Sequence, residues 1–148
     1  MTPQRHARAR GSSLIEFALV FSVLFPLFYG TFQFGLGFYY YNELVNAVRA
    51  GARYAAYRTY NSPSATPSTD FQTAVANVVV YGDPAGGTAP LVPGLAVTHI
   101  KLTIGQVNSV PRTMTVSIND FPVNVLFATF RLKKPSATFP YIGVYAPV

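Results

Sequence analysis

The chain contains no cysteine, which excludes a disulfide framework and any metal site built from thiolates. Acidic residues are also scarce, with five Asp and Glu among 148 residues, and those beyond the N-terminal region are widely scattered. The sequence has no metalloprotease motif, nucleophile elbow, phosphate-binding loop or paired carboxylates. We therefore predict no catalytic residues, no bound cofactor and no metal ligands, and we expect that the protein is not an enzyme.

The positive charge of the chain is concentrated at its N-terminus. The formal net charge is +6, but Arg5, Arg8 and Arg10 all lie in the first ten residues, MTPQRHARAR, which contain no acidic residue. The rest of the chain has only a small excess of basic residues, so no nucleic-acid partner is expected. A basic segment directly before a hydrophobic run stays in the cytoplasm, so we predict that the C-terminus lies outside.

A long apolar run follows this basic segment. From Phe17 to Tyr41 there is no charged residue, and Gln33 is the only strongly polar side chain. As a helix the run would span roughly 37 Å at about 1.5 Å per residue, enough for a hydrocarbon core of about 30 Å. A cleaved secretory signal is disfavoured because its apolar region should end after about 7–15 residues. The sequence predicts a transmembrane helix over residues 12–41, bent at Pro26.

The junction between the two segments has a specific pattern. Gly11 and Ser12 lie at the boundary, and Glu16 and Phe17 open the apolar run. A carboxylate at the edge of a membrane segment is costly unless it is paired, hydrated or functional. Ser13 and Glu16 match the S-x-x-E capping box of a helix start. Cleavage after Gly11 would instead give Glu16 an ammonium partner at Ser12, and both interpretations remain open at this point.

Residues 42–60 keep helical spacing but change in chemistry, which predicts an extramembrane helical stem. Ala47, Gly51 and Ala55 recur every four residues and form a smooth stripe along one helix face. We expect this stripe to pack on the protein's own C-terminal sheet, with a contact between subunits as the alternative.

The remainder, residues 61–148, predicts a small α+β head domain with an antiparallel sheet of three or four strands. A second helix is expected to be capped by Thr69 or Asp70 and to extend to about Val79, although Val78 to Tyr81 also suits a strand. Three further segments favour strands, one favours a hairpin loop, and one is ambiguous. These are strands at 97–104 and 112–118 joined by a loop at 105–111, an edge strand within 138–145, and a strand or short helix at 121–130. No role follows for the basic cluster Arg131, Lys133 and Lys134.

The residues from Arg10 to about Arg58 resemble the TadE-like minor pseudopilins of tight-adherence (Flp-type) type IV pilus systems. The similarity lies in RGSSLIEFALVFSVLFPLFYGTFQFG and in NAVRAGARYAA further on. It implies that residues 1–11 form a leader cut by a prepilin peptidase between Gly11 and Ser12, and that Glu16 is the assembly glutamate. It also implies other pilins or pseudopilins and inner-membrane pilus platform proteins as partners, in addition to the lipid bilayer.

The fold class expected from these features is pilin-like α+β. A long N-terminal transmembrane helix would extend into a stem that packs against a small antiparallel sheet. The protein would cross the bacterial inner membrane once, with its head in the periplasm or outside the cell. Two alternatives are an uncleaved signal-anchored envelope protein with an outer binding domain, and a main structural pilin that forms the filament.

Overall fold

The computed structural model describes residues 5–125 and 128–147. It confirms the predicted α+β class, with one long N-terminal helix followed by antiparallel strands. The chain divides between Gly37 and Phe38 into two compact units, which are described separately below. In chain order the elements are α1 (Arg5–Tyr57), α2 (Thr69–Tyr81), a 3₁₀ turn (Val97–His99), β1 (Ile100–Val107), β2 (Val110–Ile118), β3 (Phe121–Val125), β4 (Ala128–Leu132) and β5 (Ser136–Pro140).

The first unit is the N-terminal part of α1. Its large apolar side chains, from Leu14 to Phe34, are exposed along the whole segment. The helix continues through Pro26. It is long and apolar enough to cross a membrane, and none of its most apolar stretch is buried. A helix that is apolar all round and uncovered by its own chain requires an apolar environment.

The second unit has a single core, and the last turns of α1 supply one side of it. From Phe38 onward α1 acquires a buried face, on which Leu44, Val48 and Ala52 are almost completely inaccessible to solvent. The same hydrophobic cluster contains side chains from α2 and from β2. The main members from these two elements are Phe71, Val75, Val79, Val80, Met114, Val116 and Ile118.

The cap of α2 lies one residue before the predicted Thr69. The helix ends at Tyr81, two residues beyond the predicted Val79. Its N-cap is Ser68, not Thr69 or Asp70, because Ser68 has the extended backbone and its hydroxyl accepts the Phe71 N–H. The β-branched run at its end is helical, since Val78 and its neighbours are buried on the helix. Gly82 ends α2 in the left-handed conformation that glycine adopts without strain, and its N–H donates to the Val78 carbonyl.

The main sheet has three antiparallel strands in the order β1, β2, β5. The predicted hairpin is present, but its loop is shorter than the predicted 105–111. The turn is Asn108 and Ser109, both with positive φ, as a two-residue turn matching the strand twist requires. The first strand starts at Ile100 instead of residue 97 because Val97–His99 form a 3₁₀ turn.

The last third of the chain differs most from expectation. The ambiguous stretch 121–130 belongs to two strands, β3 and β4, which pair with each other in a separate two-stranded sheet. Its residues 126–127 lie outside the described part of the chain. The predicted edge strand within 138–145 is shifted toward the N-terminus: β5 is Ser136–Pro140, pairs with β2, and has Pro140 as its last residue.

Helices α1 and α2 approach each other closely at Gly51. A Cβ atom built on Gly51 would lie 2.2 Å from Val79 Cγ2 and 3.5 Å from the Val75 carbonyl oxygen, both in α2. Val79 is fully buried, and a β-branched side chain in a helix is largely held in one rotamer. The missing side chain at residue 51 therefore lets the two helices meet at this distance.

We predict that Gly51→Ala destabilises the second unit although alanine is the better helix former. The gain in helix propensity is about 1 kcal/mol, whereas overpacking a core costs about 1–3 kcal/mol. Val79→Ala alone should cost on the order of 2 kcal/mol, and the double variant should lose at least about 1 kcal/mol less than the two single losses combined. Denaturant unfolding of the full chain in detergent measures this coupling. Ala50→Val, on the exposed side of α1, is the size control, and strictly additive losses would contradict the steric explanation.

Candidate functional site

The predicted processing point lies inside a helix. Both Gly11 and Ser12 belong to α1, which already includes residues from Arg5 onward. The Gly11–Ser12 peptide bond is therefore helical in the chain that still has its basic segment. Glycine in a helix interior lowers helix stability by about 1 kcal/mol relative to alanine. Gly11 consequently makes local unwinding easier at this bond than at the alanines nearby.

The start of α1 at Arg5 also tests the prediction that Ser13 and Glu16 form a capping box at a helix start. A capping box satisfies the unpaired N–H groups of the first helical turn, and Ser13 and Glu16 lie well inside α1. The helix-start role suggested by the S-x-x-E pattern is therefore wrong for the chain that retains residues 5–11 in the helix. The Glu16 side chain is exposed and forms no hydrogen bond or ion pair with any residue that the structure describes.

An aromatic ladder starts at Phe17 and continues along the helix. Phe17, Phe21, Phe25 and Tyr29 stack in succession, with ring centroids 5.8, 5.4 and 6.1 Å apart. The four-residue spacing places each ring one turn above the last. Gln33 occupies the next position, and its Nε2 donates to the Tyr29 hydroxyl at 2.6 Å. The signal for the ladder is the four-residue spacing of aromatic residues in the sequence, from which we did not predict stacking.

Comparison with protein families bears directly on this segment. Residues 11–53 match the model of the family described as TadE-like protein. This part of the chain is TadE-like. The match confirms the predicted resemblance over those residues, and it indicates a pilus-related, pilin-like protein anchored in a membrane. No curated protein and no solved structure matches the chain.

The C-terminal part of the TadE-like segment holds the predicted small-residue stripe. Ala47 and Gly51 are buried, as is Ala55 just beyond the match. The nearest neighbours of Gly51 belong to α2 and not to the sheet. Two basic residues in this region lie against tyrosines: the Arg53 guanidinium is 5.9 Å from the centre of the Tyr57 ring, and Arg58, just after α1, donates a hydrogen bond to the Tyr54 hydroxyl.

The chain after β5 closes the C-terminal end of α1. The N–H groups of Ile142 and Gly143 both donate to the Ala56 carbonyl, at 3.0 and 2.9 Å. The last carbonyls of a helix have no partner within the helix, so this tail supplies one. Tyr60, three residues after the end of α1, donates its N–H to the Val144 carbonyl at 2.9 Å. The contact is made by backbone groups, which explains why no residue pattern predicted it.

Three tyrosines seal this end of the core. Tyr60 is fully buried and packs against the rings of Tyr141 and Tyr145, at centroid distances of 6.4 and 6.2 Å. The Tyr60 hydroxyl donates to the Ser64 carbonyl at 2.6 Å. The Tyr141 hydroxyl lies 2.7 Å from the Val144 carbonyl oxygen and accepts the Tyr60 N–H. Burial raises the pKa of both the Tyr60 and the Tyr141 hydroxyl above the usual value near 10.

Two candidate polar residues of the second unit, His99 and Arg131, have structural partners. His99 accepts the Ala96 N–H through Nδ1 and lies edge-on against Phe121. In the basic cluster, Arg131 pairs with Asp120 at 2.6 Å, and both side chains are more than half exposed. Among the described residues no group of His, Asp or Glu could hold a metal ion. A cleft of about 410 Å³ is lined by Arg58, Thr59, Asn61, Ser68, Asp70 and Phe71.

The buried tyrosines predict a loss of stability at high pH. The folded second unit holds the hydroxyl protons of Tyr60 and Tyr141 more tightly than the unfolded chain does. The stability that these protonated hydroxyls confer is therefore complete below about pH 10. It is lost as the pH rises through their raised pKa values. Unfolding of the full chain in detergent, followed from pH 8 upward, should show this fall, and Tyr60→Phe should make it shallower. Tyr57→Phe, at an exposed tyrosine, is the control, and an unchanged profile for Tyr60→Phe would contradict the assignment.

Proposed function

We propose that this protein is a pseudopilin, a pilin-like membrane subunit of a tight-adherence pilus or a related secretion system. The observation that supports this most strongly is the TadE-like match, which begins at Gly11, the residue between the basic segment and the apolar run. In this proposal a prepilin peptidase cuts after Gly11, and the mature chain assembles through its N-terminal helix. The role is structural and involves no catalysis by the protein itself.

Cleavage after Gly11 would change the surroundings of Glu16. Ser12 would become the N-terminus, so that Glu16 would lie in the first helical turns, near the positive end of the helix dipole. The new ammonium of Ser12 would be four residues away on the same helix face, roughly 6 Å along the axis. A carboxylate at the rim of a bilayer needs such a partner, from its own chain or from a neighbouring one.

The basic leader sets the proposed topology. With Arg5, Arg8 and Arg10 held in the cytoplasm, α1 crosses the inner membrane once and the second unit lies in the periplasm or outside the cell. Partners in this arrangement are the prepilin peptidase, other pilins or pseudopilins, and the platform proteins of the pilus machine. Phe17 enters the bilayer directly after Glu16 and starts the aromatic ladder on its lipid-facing surface.

One observation favours a second candidate, an uncleaved signal-anchored envelope protein. Helix α1 passes through Gly11 without interruption, and a protease must unwind a helix before it can cut it. In this alternative the leader remains and the head domain binds its partner. Processing separates the two candidates.

We predict that Gly11→Ala blocks processing. The added methyl group strengthens the helix at the bond to be cut and occupies the space beside it. The measurement is the N-terminal sequence of the chain after co-expression with a prepilin peptidase of a tight-adherence system. The unchanged chain should begin at Ser12 and the variant at Met1. Gly35→Ala, the same substitution at a glycine with open surroundings, should be processed normally. An unchanged chain that still begins at Met1 would favour the signal anchor.

We further predict that Glu16→Gln leaves cleavage intact but reduces incorporation into assembled pili or pilus complexes by about tenfold, equivalent to about 1.4 kcal/mol. The amide keeps the shape of the side chain and removes the charge that pairs with an ammonium. Incorporation is measured as the share of the protein recovered with the other pilus subunits. Glu43→Gln, at the other acid of α1, should assemble at the unchanged level. Equal recovery of both variants would remove the assembly role of Glu16.

A further inference from the structure

Gln33 differs from the other polar side chains of the apolar run in how its hydrogen bonds are met. Ser22 and Thr31 donate to carbonyls of their own helix, Leu19 at 2.8 Å and Leu27 at 2.9 Å. An amide side chain has two N–H donors and an acceptor oxygen. Gln33 uses one N–H for the Tyr29 hydroxyl, and its second N–H and its oxygen have no partner among the residues that the structure describes.

Leaving the second N–H and the oxygen of Gln33 without hydrogen bonds costs free energy inside a membrane. Gln33 lies well inside the uncharged run, where no water is available to satisfy an amide. Lipid chains offer no hydrogen-bonding group, and the Tyr29 hydroxyl is already bonded to the first N–H of Gln33. A partner must therefore come from another membrane helix with a polar side chain at the same depth.

The helix face around Gln33 allows such a helix to come close. Gly30 and Gly37 lie three residues before and four residues after Gln33, so the three share one face. A Cβ atom built on either glycine meets nothing within 4 Å. Gly35 is equally open but lies on the opposite side of the helix, because five residues correspond to a rotation of roughly 140° from Gly30.

We propose that Gln33 joins two copies of α1 side by side in the membrane, through hydrogen bonds between the two Gln33 amides. The occupant is a second copy because an amide is both donor and acceptor and so complements itself across a two-fold axis. In a parallel pair the two Gln33 residues lie at the same depth, with Gly30 and Gly37 flanking the contact. The proposal rests on the proposed placement of α1 in the membrane but not on cleavage at Gly11.

The absence of cysteine makes a direct test possible, since an introduced cysteine is the only thiol in the chain. Gly30→Cys, Gly37→Cys and Gly35→Cys are matched single substitutions on the full chain, oxidised in isolated membranes. We expect disulfide-linked dimers at residues 30 and 37 in at least threefold excess over residue 35. Adding Gln33→Leu to the residue 30 and 37 variants should reduce dimers to the level at residue 35, whereas Gln33→Asn should largely retain them.

The proposal is overturned by equal cross-linking at all three positions, or by cross-linking at residues 30 and 37 that persists with Gln33→Leu. Cross-links formed exclusively with a different protein would also overturn it. The test is run with and without Gly11→Ala. The N-terminal sequence then reports whether the chain is processed, and the yield of disulfide-linked dimer reports whether the helices pair. Alkaline extraction of the membranes checks separately that α1 is an integral membrane segment, which the proposed function requires.

Discussion

The close approach of α1 and α2 at Gly51 is the contact on which the second unit depends. A Cβ at residue 51 would overlap Val79 Cγ2, so any larger residue requires the Val79 side chain or α2 to move. Around this point the fully buried Val48, Val75 and Val79 of the two helices join the core residues of β2. The sheet and the tyrosine-rich end are built on this helix pair, because both pack against the surface that it creates.

A second constraint acts on α1, which must satisfy polar groups in two environments. In the second unit the carbonyl of Ala56, in the last turn of α1, accepts hydrogen bonds from the tail of the same chain. In the apolar segment the hydroxyls of Ser22 and Thr31 are met by the helix itself. Glu16 and Gln33 are two side chains of α1 whose hydrogen-bonding groups the described residues do not satisfy in full. Unmet polar groups in an apolar setting point to other molecules, and here they identify the residues through which the helix would be recognised.

The sequence was most informative where a single chemical signal dominates. The uncharged run after the basic N-terminal segment predicted the long helix. Strict alternation of apolar and polar residues predicted β2 to within two residues. Sequence analysis failed where several residues suit one role. Ser68, Thr69 and Asp70 can all cap a helix, and the choice depends on which one has an extended backbone when Phe71 reaches the core. The tail on Ala56 could not be foreseen, because its contacts are between backbone groups.

The two ends of α1 differ in a way that bears on assembly. At Tyr57 the helix ends inside its own domain, where the N–H groups of Ile142 and Gly143 both bind the Ala56 carbonyl, so this end offers little to a partner. At the other end the helix includes the basic N-terminal segment, and the proposed cut after Gly11 would create a new terminus with unpaired N–H groups and an ammonium. Four residues further on, Glu16 is the acidic side chain placed to meet that charge. Processing would therefore give α1 a charged and hydrogen-bonding end at the membrane rim. The other polar sites on α1 exist before cleavage, whereas this end would be created by it.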